Sequence, residues 1–147
     1  PQHTAVDVVV GANNPNRAAL EAQASAMPQI RLHEPRPHLA DLMAEADLAV
    51  GAGGTTTWER CCLGLPSLVV SIAKNQQPAC EALARDGVIE WVGRHDQVTA
   101  ADLAEALMAL NHDPARVRSL ASASRALVDG NGTQRVIEHL LADQKAA

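Results

Sequence analysis

Residues 51 to 59, "GAGGTTTWE", place Gly51, Gly53 and Gly54 directly before three threonines and a carboxylate. Glycine lets backbone approach a ligand closely, and the unpaired N–H groups of a first helical turn carry a partial positive charge that suits phosphate. Thr55, Thr56 and Thr57 add hydroxyl donors, and Glu59 falls within the first turn or two, where a carboxylate can accept two hydrogen bonds from vicinal sugar hydroxyls. The spacing is neither a Walker loop nor GxGxxG. A structural role competes with this chemistry, because glycines make tight strand-to-helix turns, Thr is an ordinary cap and Glu is common in a first turn.

A second polar group follows in "SIAKNQQPA", where Lys74, Asn75, Gln76 and Gln77 stand at the end of an apolar run. Asn and Gln carry donors and acceptors together, which fits sugar hydroxyls better than phosphate. Helix capping by Asn75 is the competing role.

Such groups need strand ends to hold them. Short β-branched runs at 6–11, 30–33, 47–51, 67–72 and 88–92 predict five strands. Helical periodicity at 16–26, 38–46, 55–63 and 76–86 predicts the helices between them. The continuous apolar "LVVSI" implies burial on both faces and therefore a mainly parallel sheet between helices. The fold expected is α/β, a doubly wound, five-stranded, Rossmann-like sheet over 1–93. A helical segment over 94–147, with helices near 99–110, 114–128 and 133–142, is expected to fold back over the sheet. Both polar groups then lie where strands end and helices begin, the side of an open α/β sheet on which ligands bind. Pro114 suits a helix start, and "DGNGT" predicts a helix stop followed by a cap from Thr133.

The 147 residues amount to one ordinary domain whose core is aliphatic, with two tryptophans and no Phe or Tyr. The net charge of −5 and the scarcity of rings argue against nucleic acid as a partner. Three cysteines, Cys61, Cys62 and Cys80, build neither a disulfide framework nor a metal quartet, which fits a reducing cytoplasm. Cys61 and Cys62 are expected to pack rather than react. His33, His38, His95, His112 and His139 lack metal-ligand spacing and are expected to be solvated. Asn13, Asn14 and Asn16 around Pro15 fit a helix start. No apolar run approaches the roughly 18 residues of a membrane span, and no metal or cofactor is expected. The opening at Pro1 without Met suggests a piece of a longer protein.

"ADLAVGAGGTTTWERCCLGLPSLVVSIAKNQ", "VVVGANNPNRAALE" and "LHEPRPHLADLMAEADL" resemble the C-terminal domain of the nucleotide-sugar hydrolases of pseudaminic acid biosynthesis. That family releases UDP from a 2,4-diacetamido-2,4,6-trideoxy sugar of altrose type. It shares the two-domain GT-B architecture of the peptidoglycan glycosyltransferase that adds N-acetylglucosamine to lipid I. The resemblance covers about residues 5–93. It implies that Gly53, Gly54, Thr55 and Thr56 face the diphosphate and that Glu59 binds the ribose. It further implies that Asn75 and Gln76 meet the sugar, and that the loop with Pro35, Arg36 and Leu39 holds the uracil, Leu39 packing on its face. Pro35 and Pro37 equally suit a purely structural stiffening of that loop.

By the same resemblance the partner is UDP or a UDP-sugar, and a catalytic N-terminal domain and a further central strand precede this chain. Without that strand the five strands could close in the order 2-1-3-4-5. A UDP-sugar-dependent glycosyltransferase of the same architecture and a non-catalytic nucleotide-sugar-binding module are the alternatives.

Overall fold

The computed structural model describes residues 4–145. The five strands and seven helices alternate as the periodicity predicts: β1 (Val6–Val9), α1 (Arg17–Ser25), β2 (Ile30–His33), α2 (Ala40–Glu45), β3 (Ala49–Ala52), α3 (Thr56–Leu63), β4 (Ser67–Ser71), α4 (Gln77–Arg85) and β5 (Glu90–Arg94). The helices α5 (Ala100–His112), α6 (Pro114–Leu127) and α7 (Gly132–Lys145) follow, and a 3-10 turn at Lys74–Gln76 leads into α4.

All pairings are parallel, but the strands form two sheets, β1-β2 and β3-β4-β5. The pairing of β1 with β3 that a single sheet in the order 2-1-3-4-5 requires is absent among the described residues.

Contacts divide the chain into two compact units, one ending at Leu42 and the other beginning at Met43. In the first, β1 and β2 pair from Val6 with Ile30 to Val9 with His33, and Val10 is the buried apolar residue. Arg17 pairs with Glu21 and Glu34. His33, expected to be solvated, is instead held: its Nε2 lies 2.5 Å from Asp7 and its Nδ1 3.0 Å from the Arg36 guanidinium. Hydrogen bonds from His33 and Arg31 keep the Asp7 carboxyl below its ordinary range.

In the second unit β4 is the central strand, and its neighbouring residues Leu68 and Val69 are both fully buried. Successive strand residues point to opposite faces, so two cores form. Val69 packs with Cys61 of α3, Cys80 and Leu83 of α4, and Val88 and Ile89. Leu68 packs with Leu110 of α5 and Leu120 of α6. Helices α5 and α6 therefore pack over the sheet, whereas residues 132–142 of α7 are exposed.

Local chemistry sets the helix ends. In α5 the Thr99 side chain accepts from the Asp102 amide while the Asp102 carboxylate accepts from the Thr99 amide, a reciprocal cap. Asp113 accepts from the Arg116 amide ahead of Pro114 in α6. At the end of α3 Gly64 takes φ 64°, a left-handed value that L side chains avoid. The amides of Gly64 and Leu65 then return to the carbonyls of Cys61 and Arg60. The Arg125 guanidinium donates to the Leu63 carbonyl beside them, and Pro66 carries the chain into β4. The start of α7 differs from expectation. Helix begins at Gly132, so Thr133 lies inside the first turn, and Asp129 instead accepts from the Asn131 amide and the Arg135 guanidinium.

Candidate functional site

Strand β3 ends at Ala52 and α3 begins at Thr56, so residues 53–55 make the connection. Gly53 donates to the carbonyl of Val70, which ties the turn to the end of β4. A Cβ at Gly53 would collide with Cys80 Sγ and stand 3.4 Å from Val69 Cγ1. Glycine is required here because α4 and the sheet press directly on the turn. At Gly54 the nearest atom to such a Cβ is Gln76 Nε2, at an ordinary 3.7 Å, so packing does not forbid a side chain there.

The amides of Gly54, Thr55 and Thr56 donate to no acceptor among the described residues, whereas those of Thr57 and Trp58 return to Gly54 and Thr55. Three consecutive free N–H groups at the N-terminus of a helix are a ready anion cradle. The hydroxyls divide differently from the sequence expectation. Thr57 lines the cleft beside this turn but is buried, and its Oγ1 is already engaged, donating to Ala52 at 3.3 Å and accepting from Arg60. Thr55 makes no side-chain cap and stays available.

Across from this turn stands the end of β4. Gln76 Oε1 accepts from the Ile72 amide at 2.9 Å, which fixes the carboxamide and leaves Nε2 facing Gly54. Asn75 caps no helix: the residue preceding α4 is Gln76, and no side-chain cap bond forms. Gly53, Gly54 and Thr55 share one cleft of about 330 Å³ with Asn75 and Gln76, floored by Cys80 and Leu83 and bordered by Trp58. Two polar strand ends are thus brought into one depression.

The remaining site residues lie elsewhere. Thr56 is half-buried in the first turn of α3 and does not line the cleft. Glu59 is exposed on a neighbouring cleft of about 520 Å³, which also contains Cys62, Asp129 and Arg135. Trp58 borders both clefts. Arg36 and Leu39 belong to the first unit, Arg36 exposed and bonded to His33, Leu39 half-buried.

Cys61 and Cys80 are buried free thiols, and burial pushes both up from the ordinary thiol value; Cys62 is exposed. Residues not anticipated from sequence are Cys80, the floor of the cleft, and Arg60, buried beneath the turn. Among the described residues no helix is long and apolar enough to cross a membrane.

A model of the family described as "Glycosyltransferase family 28 C-terminal domain" matches residues 2–140. The spore coat polysaccharide biosynthesis protein SpsG of Bacillus subtilis is 30% identical over 128 residues, 87% of this chain and 38% of that protein. The chain therefore spans well under half of that relative. Among solved structures, MurG of Acinetobacter baumannii superposes with a TM-score of 0.75 at 19% identity, over 95% of this chain and 42% of its own. UDP-GlcNAc 2-epimerase from Neisseria meningitidis, bound to UDP-GlcNAc, gives 0.70 at 21% identity, over 94% of this chain and 36% of its own. The α/β class is common to them.

Proposed function

The chain belongs to the glycosyltransferase family 28 C-terminal domains, and from that premise we propose that it is the nucleotide-sugar-binding part of a two-domain, UDP-sugar-dependent glycosyltransferase. The observation that carries this reading is the single cleft that joins the free amides of Gly54 and Thr55 to Asn75 and Gln76. The diphosphate sits at the turn of Gly53, Gly54, Thr55 and Thr56. The ribose reaches past Trp58 to Glu59. Asn75 and Gln76 Nε2 meet the sugar hydroxyls.

The chemistry follows from where charge develops. As the bond from the anomeric carbon to the β-phosphate oxygen breaks, negative charge grows on the departing UDP. The amides of Gly54, Thr55 and Thr56, already unpaired and aligned at a helix start, receive it without reorganising. The acceptor oxygen forms the new bond to the anomeric carbon, and its proton passes to a base supplied by the remainder of the protein. A nucleotide-linked polysaccharide precursor made in the cytoplasm suits the relation to SpsG.

Release to water, the hydrolase reading, uses the same site with water as acceptor and rests on the resemblance in the glycine-threonine block. The family match favours transfer. The test is to incubate the full-length protein with a UDP-sugar, with and without a carbohydrate or lipid-linked acceptor. UDP release that depends on acceptor is expected. Equal release of free sugar without acceptor would make it a hydrolase, and a folded protein that binds no UDP would end both readings.

A further inference from the structure

Arg60 does not line the cleft, yet it is only 5% exposed. Arg17, Arg31, Arg85, Arg94, Arg116 and Arg135 each pair with a carboxylate; among the described residues Arg60 has no such partner. Its Nη2 donates to the carbonyl of Ala52 at 2.9 Å and to Thr57 Oγ1 at 3.0 Å, and its Nε has no partner. Its Nη1 lies so close against Gly51 that any Cβ there would collide with it. Burial pulls the guanidinium below its ordinary pKa, but arginine remains charged in proteins. A buried, unpaired cation is unfavourable unless something compensates it.

Resting on the nucleotide reading above, we infer that Arg60 is a positioning residue whose missing counter-charge is the diphosphate: an uncompensated cation built in behind the Gly51–Gly54 turn, acting on the ligand through the turn rather than by touching it. Ala52, which holds the guanidinium, is two residues from Gly54, so chain geometry keeps the charge within roughly 8 Å of the free amides. At that separation a partly buried charge is poorly screened by salt.

Arg60 also explains two residue choices that ligand contact does not. Gly51 is glycine because the guanidinium occupies the space of a side chain, and Thr57 turns its hydroxyl inward to accept from Nη2.

The test compares UDP, inorganic pyrophosphate and uridine on the wild-type chain, Arg60→Met and Arg60→Gln. Glutamine can keep a hydrogen bond to Ala52 without the charge, and it carries the comparison alone if the methionine variant does not fold. Wild type is expected to bind UDP and pyrophosphate. The neutral variants should bind both about ten-fold more weakly, a loss on the scale of one unit charge at such a distance, and should bind uridine as wild type does. Equal losses for UDP and uridine would make Arg60 merely structural and overturn the inference, as would unchanged UDP affinity. A wild-type chain that binds neither UDP nor pyrophosphate would overturn the nucleotide reading itself, before any variant is compared.

Discussion

Gly53→Ala separates packing from ligand approach at the turn. Its backbone is not in the positive-φ region, so the substitution strains no dihedral, and the added methyl meets Cys80 Sγ and Val69 Cγ1, both side chains fully buried. Overpacking a tight site of this kind costs about 1–3 kcal/mol. Reduced freedom of the unfolded chain offsets about 0.4–1 kcal/mol of that. Taking the middle of each range, the net loss is about 1.3 kcal/mol, a fall in Tm of about 3–5 °C for a chain of this size.

The partner is identified by a double-mutant cycle. Cys80→Ala alone should destabilise by leaving a small void. Combined with Gly53→Ala it should restore part of the loss, with a coupling above about 0.5 kcal/mol. Gly54→Ala is the control, since its Cβ meets nothing closer than Gln76 Nε2 at 3.7 Å. It should keep its stability and lose UDP affinity. Thermal and urea unfolding of wild type and the four variants read the stabilities, and calorimetry with UDP reads the affinity of Gly54→Ala. A Gly53→Ala chain as stable as wild type, or losses that simply add with Cys80→Ala, would refute the packing reason for glycine at this position.

Glu59→Ala should weaken UDP binding by about 1–3 kcal/mol, the scale of a charged hydrogen-bond partner; calorimetry that finds unchanged affinity returns Glu59 to an ordinary first-turn carboxylate. Asn75→Ala should cost more affinity for a UDP-sugar than for UDP, and equal losses would remove Asn75 from the sugar. Hydrogen bonds from Arg135 and the Asn131 amide hold the Asp129 carboxyl at about 2, below its ordinary 3.8. Because the folded value is the lower one, the support is present above the unfolded value and lost as pH falls through the folded one. Asp129→Asn should therefore lower Tm at neutral pH, with the difference shrinking as pH drops from about 4 towards 2. An NMR titration of Asp129 with an ordinary midpoint would sink that prediction.

Most of the element order was legible because each strand and helix carries its own local period. Ser67–Ser71 reads as a strand from its continuous apolar "LVV" run, and Thr56–Leu63 is bounded by a glycine pair and Gly64. What a strand pairs with is a different matter. Nothing in "VDVV" states which strands it pairs with, so the division into the sheets β1-β2 and β3-β4-β5 could not be read.

The cleft was legible in its two polar turns, since both follow strands, but its floor was not. Cys80 meets Gly53 across 27 positions of sequence, and no local pattern reports such a contact. Thr57 was misleading for another reason: a threonine beside glycines reads as a ligand donor, yet its hydroxyl turns inward to the Ala52 carbonyl and the Arg60 guanidinium. Gln76 has a comparable double duty, holding the Ile72 amide with one atom and facing the cleft with the next.

Strand β4 presents Leu68 to one core and its neighbour Val69 to the other. The sheet is thus a partition with a separate interior on each side, and only the Val69 side adjoins the glycine turn. A substitution at Leu68 or Leu110 therefore meets first the residues of its own cluster and not Cys80 or Val69. Helix α6 is the exception. It sends Leu120 to one interior and lays Ala123 against the other, so a change of volume along α6 is felt on both sides of the partition at once, and such a change is where divergence of the tail would first reach the glycine turn.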